Sequence, residues 1–534
     1  MRPTRSLCLI VFAAGSVLLA QTPTAPPAPS ARPQRPDQQA FNQANSVKDP
    51  AQKVEALSSF LKENPDSPMA QSAILGIMTA AAAAWPDDPA KLPSLGDQIL
   101  ASAKGITRAQ DARHIASALL RADKALPDAE RFARIGVERY PPYDAQPYDA
   151  RKIPQSQVQY EETRARQLET LGLVCAKLGK DTEARRTLED VMKIDAYSAE
   201  SARALAALAA KTGDGADELR WTAAAFLAHP TKADHDAIAA LYRKSHHDSD
   251  DGLEPYLDAQ YEALFPNPAH LDHYRGAAKR MVLAELLTGS GCPPCVGMDL
   301  AFDALLERYS RADVAVLLYH QNRPKPDPMT NPNSMARYDY FEAHGVPTVA
   351  IDGKPQTGGG GHDQAAEFAA RYAGQIDKEL LTEAGATIEL KASLTGRGIP
   401  VNVRIGGIDP AAHLKLHIVV AEKTIRYSGE SGIRFHPMVV RSVAQIAVDG
   451  ASPRTFDQTF DLDKIAAEIH AYHDAFEKHD DRFNTDGTFR WPDRLEHIDA
   501  DRLAVVAFLE DDATKAILQA ASIDLSRPAG GRAE

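Results

Sequence analysis

The sequence predicts a multidomain chain: an all-α, helical-repeat-like N-terminal region, a central α/β domain and a C-terminal, mainly antiparallel β domain. Three observations predict it. From about 37 to 270 the chain is rich in Ala and Leu, with apolar residues recurring at threes and fours. From 279 to 384 apolar runs of strand length alternate with helical runs. From 385 to 525 short alternating segments appear, the earlier ones separated by Gly- or Pro-containing turns. The 534 residues fit about three domains of roughly 100–200 residues each. A hydrophobic content of 44% and a charged content of 25% suit soluble globular cores. The net charge is -13 and no strongly basic domain stands out, which argues against nucleic acid as a partner. Four cysteines are too few for a disulfide-built scaffold. Only two of them lie close together, so a four-thiolate zinc site is also excluded.

Residues 1–20 read as a signal peptide. Arg2 and Arg5 precede an apolar core at 7–20 (LCLIVFAAGSVLLA) that ends in Ala20. The core is shorter than the ~20 residues a spanning helix needs. Leu18, rather than a small residue, stands three positions before the cut. The expected mature protein is exported, periplasmic or extracellular, and touches a membrane only through this segment if it stays uncleaved. Residues 21–36 (QTPTAPPAPSARPQRP) read as an extended Pro-rich linker.

The helical region, 37–270, is punctuated at Asn64-Pro65, Trp85-Pro86 and His229-Pro230. Within it, Leu171-Gly172, Gly179 and Ala184 are followed thirty-four residues later by Leu205-Ala206 and Gly213, and Pro230 closes the unit. This spacing resembles a tetratricopeptide repeat over about two units; an irregular helical bundle is the alternative. Stacked helix pairs would offer an extended surface for a protein partner. Cys175 lies on the apolar stripe and reads as a buried small hydrophobe.

From 279 the texture changes. Met281–Leu287 is a strand, followed by a Gly/Ser turn and Cys292-Pro293-Pro294-Cys295. A helical run covers Met298 to Tyr309, and Val314–Tyr319 is a second strand. A proline-rich loop at 321–333 leads to a short helix at Ser334–Ala343. Gly345-Val346-Pro347-Thr348 then enters a third strand, Thr348–Ile351, and 363–383 is helical. No strand pair is evident between Ile351 and that last helix. Beyond 385 the expected strands are Thr387–Leu394, Val401–Ile405, Leu414–Val420, Val439–Val448 and Leu503–Leu509, with a polar helical excursion at about 462–500.

The chemistry sits in Cys292-Pro293-Pro294-Cys295. Two intervening residues at a helix start bring two sulfurs within bridging distance. The first cysteine gains from the helix N-terminus and is set up to attack; the second, one turn in and partly shielded, resolves the mixed disulfide. Pro293 and Pro294 have no amide hydrogen. A Cys292 thiolate must then draw on Cys295, Val296 or beyond. It is less stabilised than in strong oxidants, so the pair leans towards reducing or isomerising.

Together, the strand 281–287, the CPPC dithiol and Gly345-Val346-Pro347-Thr348 resemble a thioredoxin-fold domain, here spanning 279–384. The wider segment, with Leu318-Tyr319-His320 and its Pro/Asp-rich loop, is similar to secreted bacterial thioredoxin-like proteins. The resemblance implies a cis Pro347 facing the dithiol, with Val346 and Thr348 meeting the substrate backbone and Pro293 and Pro294 beside it. It implies a thiol–disulfide oxidoreductase acting on protein thiols or disulfides without a cofactor. Glu285 would be a buried acid that moves protons for Cys295, or else a solvent-side carboxylate. His320, ending the second strand, would tune the thiolate or join a metal site, or be a plain loop histidine. Two alternatives stand beside the enzyme: a copper-handling protein using Cys292, Cys295 and His320 or Met298, and an interaction scaffold with a structural disulfide.

Other constellations carry less. His246-His247 before an acidic run reads as a solvated loop. His470 and His473 share a helical face, with His479 nearby, and read as polar helix surface. His413 and His417 share a strand face. Gly358–Gly361 lacks the Lys-Ser/Thr of a phosphate loop. Gly432-Ile433-Arg434-Phe435-His436 is distinctive without an evident role.

Overall fold

The computed structural model describes residues 35–103, 105–140, 157–409, 413–448 and 453–525. The expected signal peptide and all but the last two residues of the expected linker lie outside them. Among the described residues no helix is long and apolar enough to cross a membrane. The chain divides into two compact units, up to residue 88 and from residue 89 onward.

The first unit holds α1 (Pro36–Asn45), α2 (Pro50–Glu63) and α3 (Ala70–Ala84). Asp49 caps α2 by accepting the Gln52 amide. Leu57 and Phe60 of α2 and Ile74, Ile77 and Met78 of α3 are buried. Gly76 lets the helices approach closely: a Cβ there would stand 2.8 Å from Leu57 Cδ1 and push that side chain aside.

Among its described residues the second unit opens with nine helices: α4 (Lys91–Ser102), α5 (Gly105–Ala122), α6 (Leu126–Glu138), α7 (Gln157–Lys177), α8 (Asp181–Ile194), α9 (Ala199–Thr212), α10 (Gly215–Ala228), α11 (Lys232–Ser245) and α12 (Leu253–Leu264). The threes-and-fours stripe becomes the packed face: Ala184, Leu188 and Val191 are at most 1% exposed. Gly172 of α7 lies against Leu188 of α8, where a Cβ would come within 2.7 Å. Gly179 and Gly213 end their helices at φ +73°, the left-handed conformation that glycine adopts without strain. Cys175 is fully buried, and burial pushes its thiol up to about 11.

The rest is a mainly β region built on a mixed sheet. In chain order come β1 (Val282–Thr288), α13 (Val296–Arg308), β2 (Val314–His320), α14 (Pro332–Tyr340), β3 (Thr348–Ile351), β4 (Lys354–Thr357) and α15 (Ala365–Glu379). They are followed by β5 (Thr387–Ala392), β6 (Gly398–Gly406), β7 (Leu414–Arg426), β8 (Phe435–Val448), β9 (Arg454–Asp461), α16 (Leu462–Lys478), β10 (Leu503–Asp511) and β11 (Ile517–Asp524). Eight strands form one sheet in the order β11-β10-β7-β8-β2-β1-β3-β4, and β5-β6-β9 form a second. β1 runs parallel to β2 and antiparallel to β3, and β3 is antiparallel to β4. β1 and β2 are buried along their whole length, which is why they read as continuous apolar runs rather than alternating ones.

Four features differ from the sequence reading. One unforeseen strand follows Ile351: β4 pairs with β3 as the sheet edge, and Lys-Pro-Gln-Thr is too polar and short to signal a strand. β9 and β11 are additional strands. The helical excursion stops at Lys478; Asn484 turns the chain back by donating to the Phe476 carbonyl, and Phe476, Phe489 and Trp491 form an aromatic cluster. The long C-terminal strands also join the central strands in one sheet, through the parallel pair Leu318–Val439.

Candidate functional site

β1 delivers the chain to a turn at Gly289-Ser290-Gly291. The Cys292 amide donates to the Gly289 carbonyl, and the Cys295 amide to that of Cys292. Pro293 and Pro294, with φ preset and no amide to satisfy, start a single 3₁₀ turn over Pro293–Cys295 that passes into α13. Cys292 and Cys295 are joined in a disulfide with Cα atoms 5.3 Å apart. The Val346-Pro347 peptide is cis. The Val346 carbonyl oxygen lies 3.9 Å from Cys292 Sγ. Thr348 Oγ1 donates back to the Gly345 carbonyl and fixes the bend into β3. The structure therefore brings Cys292, Cys295, Val346 and Pro347 together across positions more than fifty apart in sequence. Pro293 and Pro294 are exposed, Val346 is half-buried, and Pro347 and Thr348 are buried.

Access to the sulfurs departs from expectation. Cys292 is 1% exposed and Cys295 0%, so neither is open to attack in this conformation. Two loops flank them. On one side Gly360 donates its amide to the Pro294 carbonyl, and Gly297 donates to the Gly360 carbonyl. Gly359 lies so close that a Cβ would stand 2.5 Å from Pro294 O and 2.8 Å from Pro347 Cδ. On the other side, the β7–β8 hairpin places the Ser431 amide on the Ser290 carbonyl, with Gly429 against Ser290 and Glu430 paired with Lys325. Both closures join segments far apart in sequence, which a local motif cannot reveal.

Beneath the turn lies a buried polar network. Asp327 Oδ2 accepts the Ser290 amide at 2.6 Å and meets His320 Nδ1 at 2.8 Å, while Oδ1 accepts the Met329 amide. Burial alone would raise the Asp327 carboxyl; His320 and the two amides bring it below its ordinary value. His320 is thus neither a loop residue nor exposed: it is 1% exposed and edge-on to His436 at 5.0 Å. Burial, then the neighbouring His320, lowers His436 to about 3. One turn after Cys295, Asp299 accepts the Thr288 hydroxyl at 2.8 Å, and burial holds its carboxyl well above the usual range.

Glu285 is fully buried, not on a solvent side. Both its oxygens are bound by Arg337, at 2.8 and 2.7 Å, and Arg337 also bonds Glu510, which meets His417 at 2.9 Å. His473 is buried rather than on a polar surface, and both it and His470 bond Glu496. His246 stacks on Tyr242 at 3.7 Å. Met298 is packed in the main core. Among the described residues, Glu130, Cys175 and Glu183 have ligand-type atoms within 4.8 Å of one another; Cys292, Cys295 and His320 form no such group. Sequence reasoning missed Asp299, Asp327 and Arg337, because each acquires its place only through a distant partner.

No protein family and no curated protein matches the chain. Among solved structures, a β-glucosidase from Kluyveromyces marxianus is similar at 8% identity and TM-score 0.15, over 31% of this chain and 18% of that one. The same enzyme in complex with glucose is similar at 10% identity and TM-score 0.16, over 46% and 31%. A β-glucosidase from Listeria innocua in complex with gluconolactone is similar at 10% identity and TM-score 0.14, over 69% and 60%. The chain thus spans less than two thirds of each of these proteins, and TM-scores this low carry no argument about fold or activity.

Proposed function

We propose that residues 279–384 are a thioredoxin-like domain and that the chain is an exported thiol–disulfide oxidoreductase acting on protein thiols or disulfides. The observation that carries the reading is the Val346 carbonyl 3.9 Å from Cys292 Sγ, at the carboxyl end of β1 and immediately before a cis proline. The strand order β2-β1-β3-β4, with β1 parallel to β2 and antiparallel to β3, supports it further. Carboxyl ends of strands are where open α/β sheets hold their ligands.

In the reduced form the Cys292 thiolate attacks a substrate disulfide. A Cys292–substrate mixed disulfide forms and one substrate thiolate leaves. Cys295 then attacks Cys292 Sγ, closing the 292–295 disulfide and releasing the second substrate thiolate; two electrons pass from protein to substrate. The backbone beside Pro347 presents the substrate chain. With Pro293 and Pro294 giving no amide to the thiolate, the pair leans towards reduction or isomerisation. The helical region, read as tetratricopeptide-like, would select a protein partner. The test is insulin reduction by the full chain: wild type reduces it and Cys292→Ser does not. Equal turnover by both proteins, or by neither, contradicts the reading.

A second reading, a purely structural disulfide, is favoured by the near-zero exposure of both sulfurs. It predicts that dithiothreitol leaves the pair oxidised under conditions that reduce an accessible protein disulfide.

A further inference from the structure

We propose that the end of the helical region, from α8 to α12, is a closure over the dithiol and that Tyr197 is its latch. The inference rests on the oxidoreductase reading for its purpose, and on geometry alone for its existence.

Tyr197 stands in the elbow between α8 and α9. Its ring stacks on Phe265, just past α12, with centroids 4.3 Å apart. The same ring reaches both loops that flank the sulfurs. It meets His362 edge-on at 5.8 Å, immediately after the Gly358–Gly361 run whose Gly359 lies against Pro294 O and Pro347. It also backs the tip of the β7–β8 hairpin, where a Cβ on Gly432 would stand 3.0 Å from Tyr197 Cε1. His362 Nε2 lies 3.3 Å from the Pro266 carbonyl, a second tie between this rim and the helical region. Gly432 adopts φ +83°, so both its backbone and its contact with the ring call for glycine. The Gly432–His436 segment, without an evident role in the sequence, is thus the strip on which the closure lands.

The two kinds of contact across this boundary differ in strength. Asp258 of α12 binds Arg426 and Arg434 at 2.5–3.0 Å, and the Arg434 side chain is 3% exposed. Separating the buried Arg434 from its partly buried, hydrogen-bonded partner leaves its charge unpaired and is costly. The latch is one half-buried, uncharged ring packed on Phe265, His362 and Gly432, with one His362–Pro266 contact beside it. The closure therefore opens at Tyr197 while the Asp258–Arg434 tie holds. Opening frees the two rim loops, and with them the sulfurs; a protein that binds the helical region would then admit its own disulfide.

The test is the second-order rate constant for dithiothreitol reduction of Cys292–Cys295 in the full, oxidised chain, read by alkylation and mass spectrometry. Tyr197→Ala is expected to react at least tenfold faster than wild type, His362→Ala at least threefold faster, and Tyr197→Phe, which keeps the ring, like wild type. Circular dichroism and the thermal midpoint establish that each variant is folded. If Tyr197→Ala is folded and reacts like wild type, the closure is overturned; should it not fold, a wild-type rate in His362→Ala does the same. A faster rate in these variants with no insulin reduction by any of them upholds the closure and removes the oxidoreductase reading.

Discussion

Arg337 shows what a single buried charge does here. Its side chain is 6% exposed and holds Glu285 and Glu510, both fully buried. Removing one partner of such a cluster leaves carboxylates without compensation. Arg337→Met should therefore cost about 3–5 kcal/mol in denaturant unfolding, whereas a solvent-exposed arginine such as Arg371 should cost under about 1 kcal/mol when replaced. His436 sets a pH dependence. Its folded-state value of about 3 lies below its ordinary 6.5, so between these the unfolded chain binds a proton that the folded chain refuses. Stability conferred by the neutral ring is complete above pH 6.5 and falls as pH drops towards 3. Wild type should lose about 2 kcal/mol more than His436→Gln between pH 7 and pH 5, by denaturant titration at each pH; parallel losses would contradict this. At this scale the sequence was informative where chemistry is local: the cysteine pair, the prolines between them, and Val346-Pro347. Glu285 was singled out, but its partner was not. Asp327 reads as one more residue in a proline-rich loop until the fold sets it against Ser290 and His320.

The elements were legible in proportion to their burial. β1 and β2, buried on both faces, announced themselves as apolar runs, and the helix stripes by their spacing. β4 gave no signal because an edge strand of polar residues buries almost nothing. The Gly358–Gly361 run read only as a failed phosphate loop, whereas its Gly359 lets backbone lie directly on Pro294 and Pro347. That contact makes a prediction at the level of the loop. Gly359→Val cannot keep the approach to Pro294 O, so the loop should lift: dithiothreitol should reduce the disulfide several-fold faster and the thermal midpoint should fall. A variant with an unchanged rate and midpoint would mean that the loop does not seal the sulfurs. Within α13, Phe302 is fully buried in the core beneath the site. Phe302→Ala should cost about 3–5 kcal/mol of unfolding free energy.

For the molecule as a whole, the order of regions was readable and their joining was not. Helical, α/β and β textures follow one another along the chain, yet pairing of Leu318 with Val439 makes one sheet of strands that read as two domains. Such long-range parallel pairing leaves no periodicity in sequence. The covering of the dithiol by residues from 197, 359–362 and 429–432 is equally invisible there, and it divides a working redox pair from a buried staple. The reduction potential of Cys292–Cys295, measured by glutathione or dithiothreitol equilibration of the intact chain, decides between them most directly. A value between about -270 and -180 mV, where dithiols that exchange with protein thiols lie, is the expected result. A value below about -300 mV, typical of disulfides that only hold structure, would contradict the account.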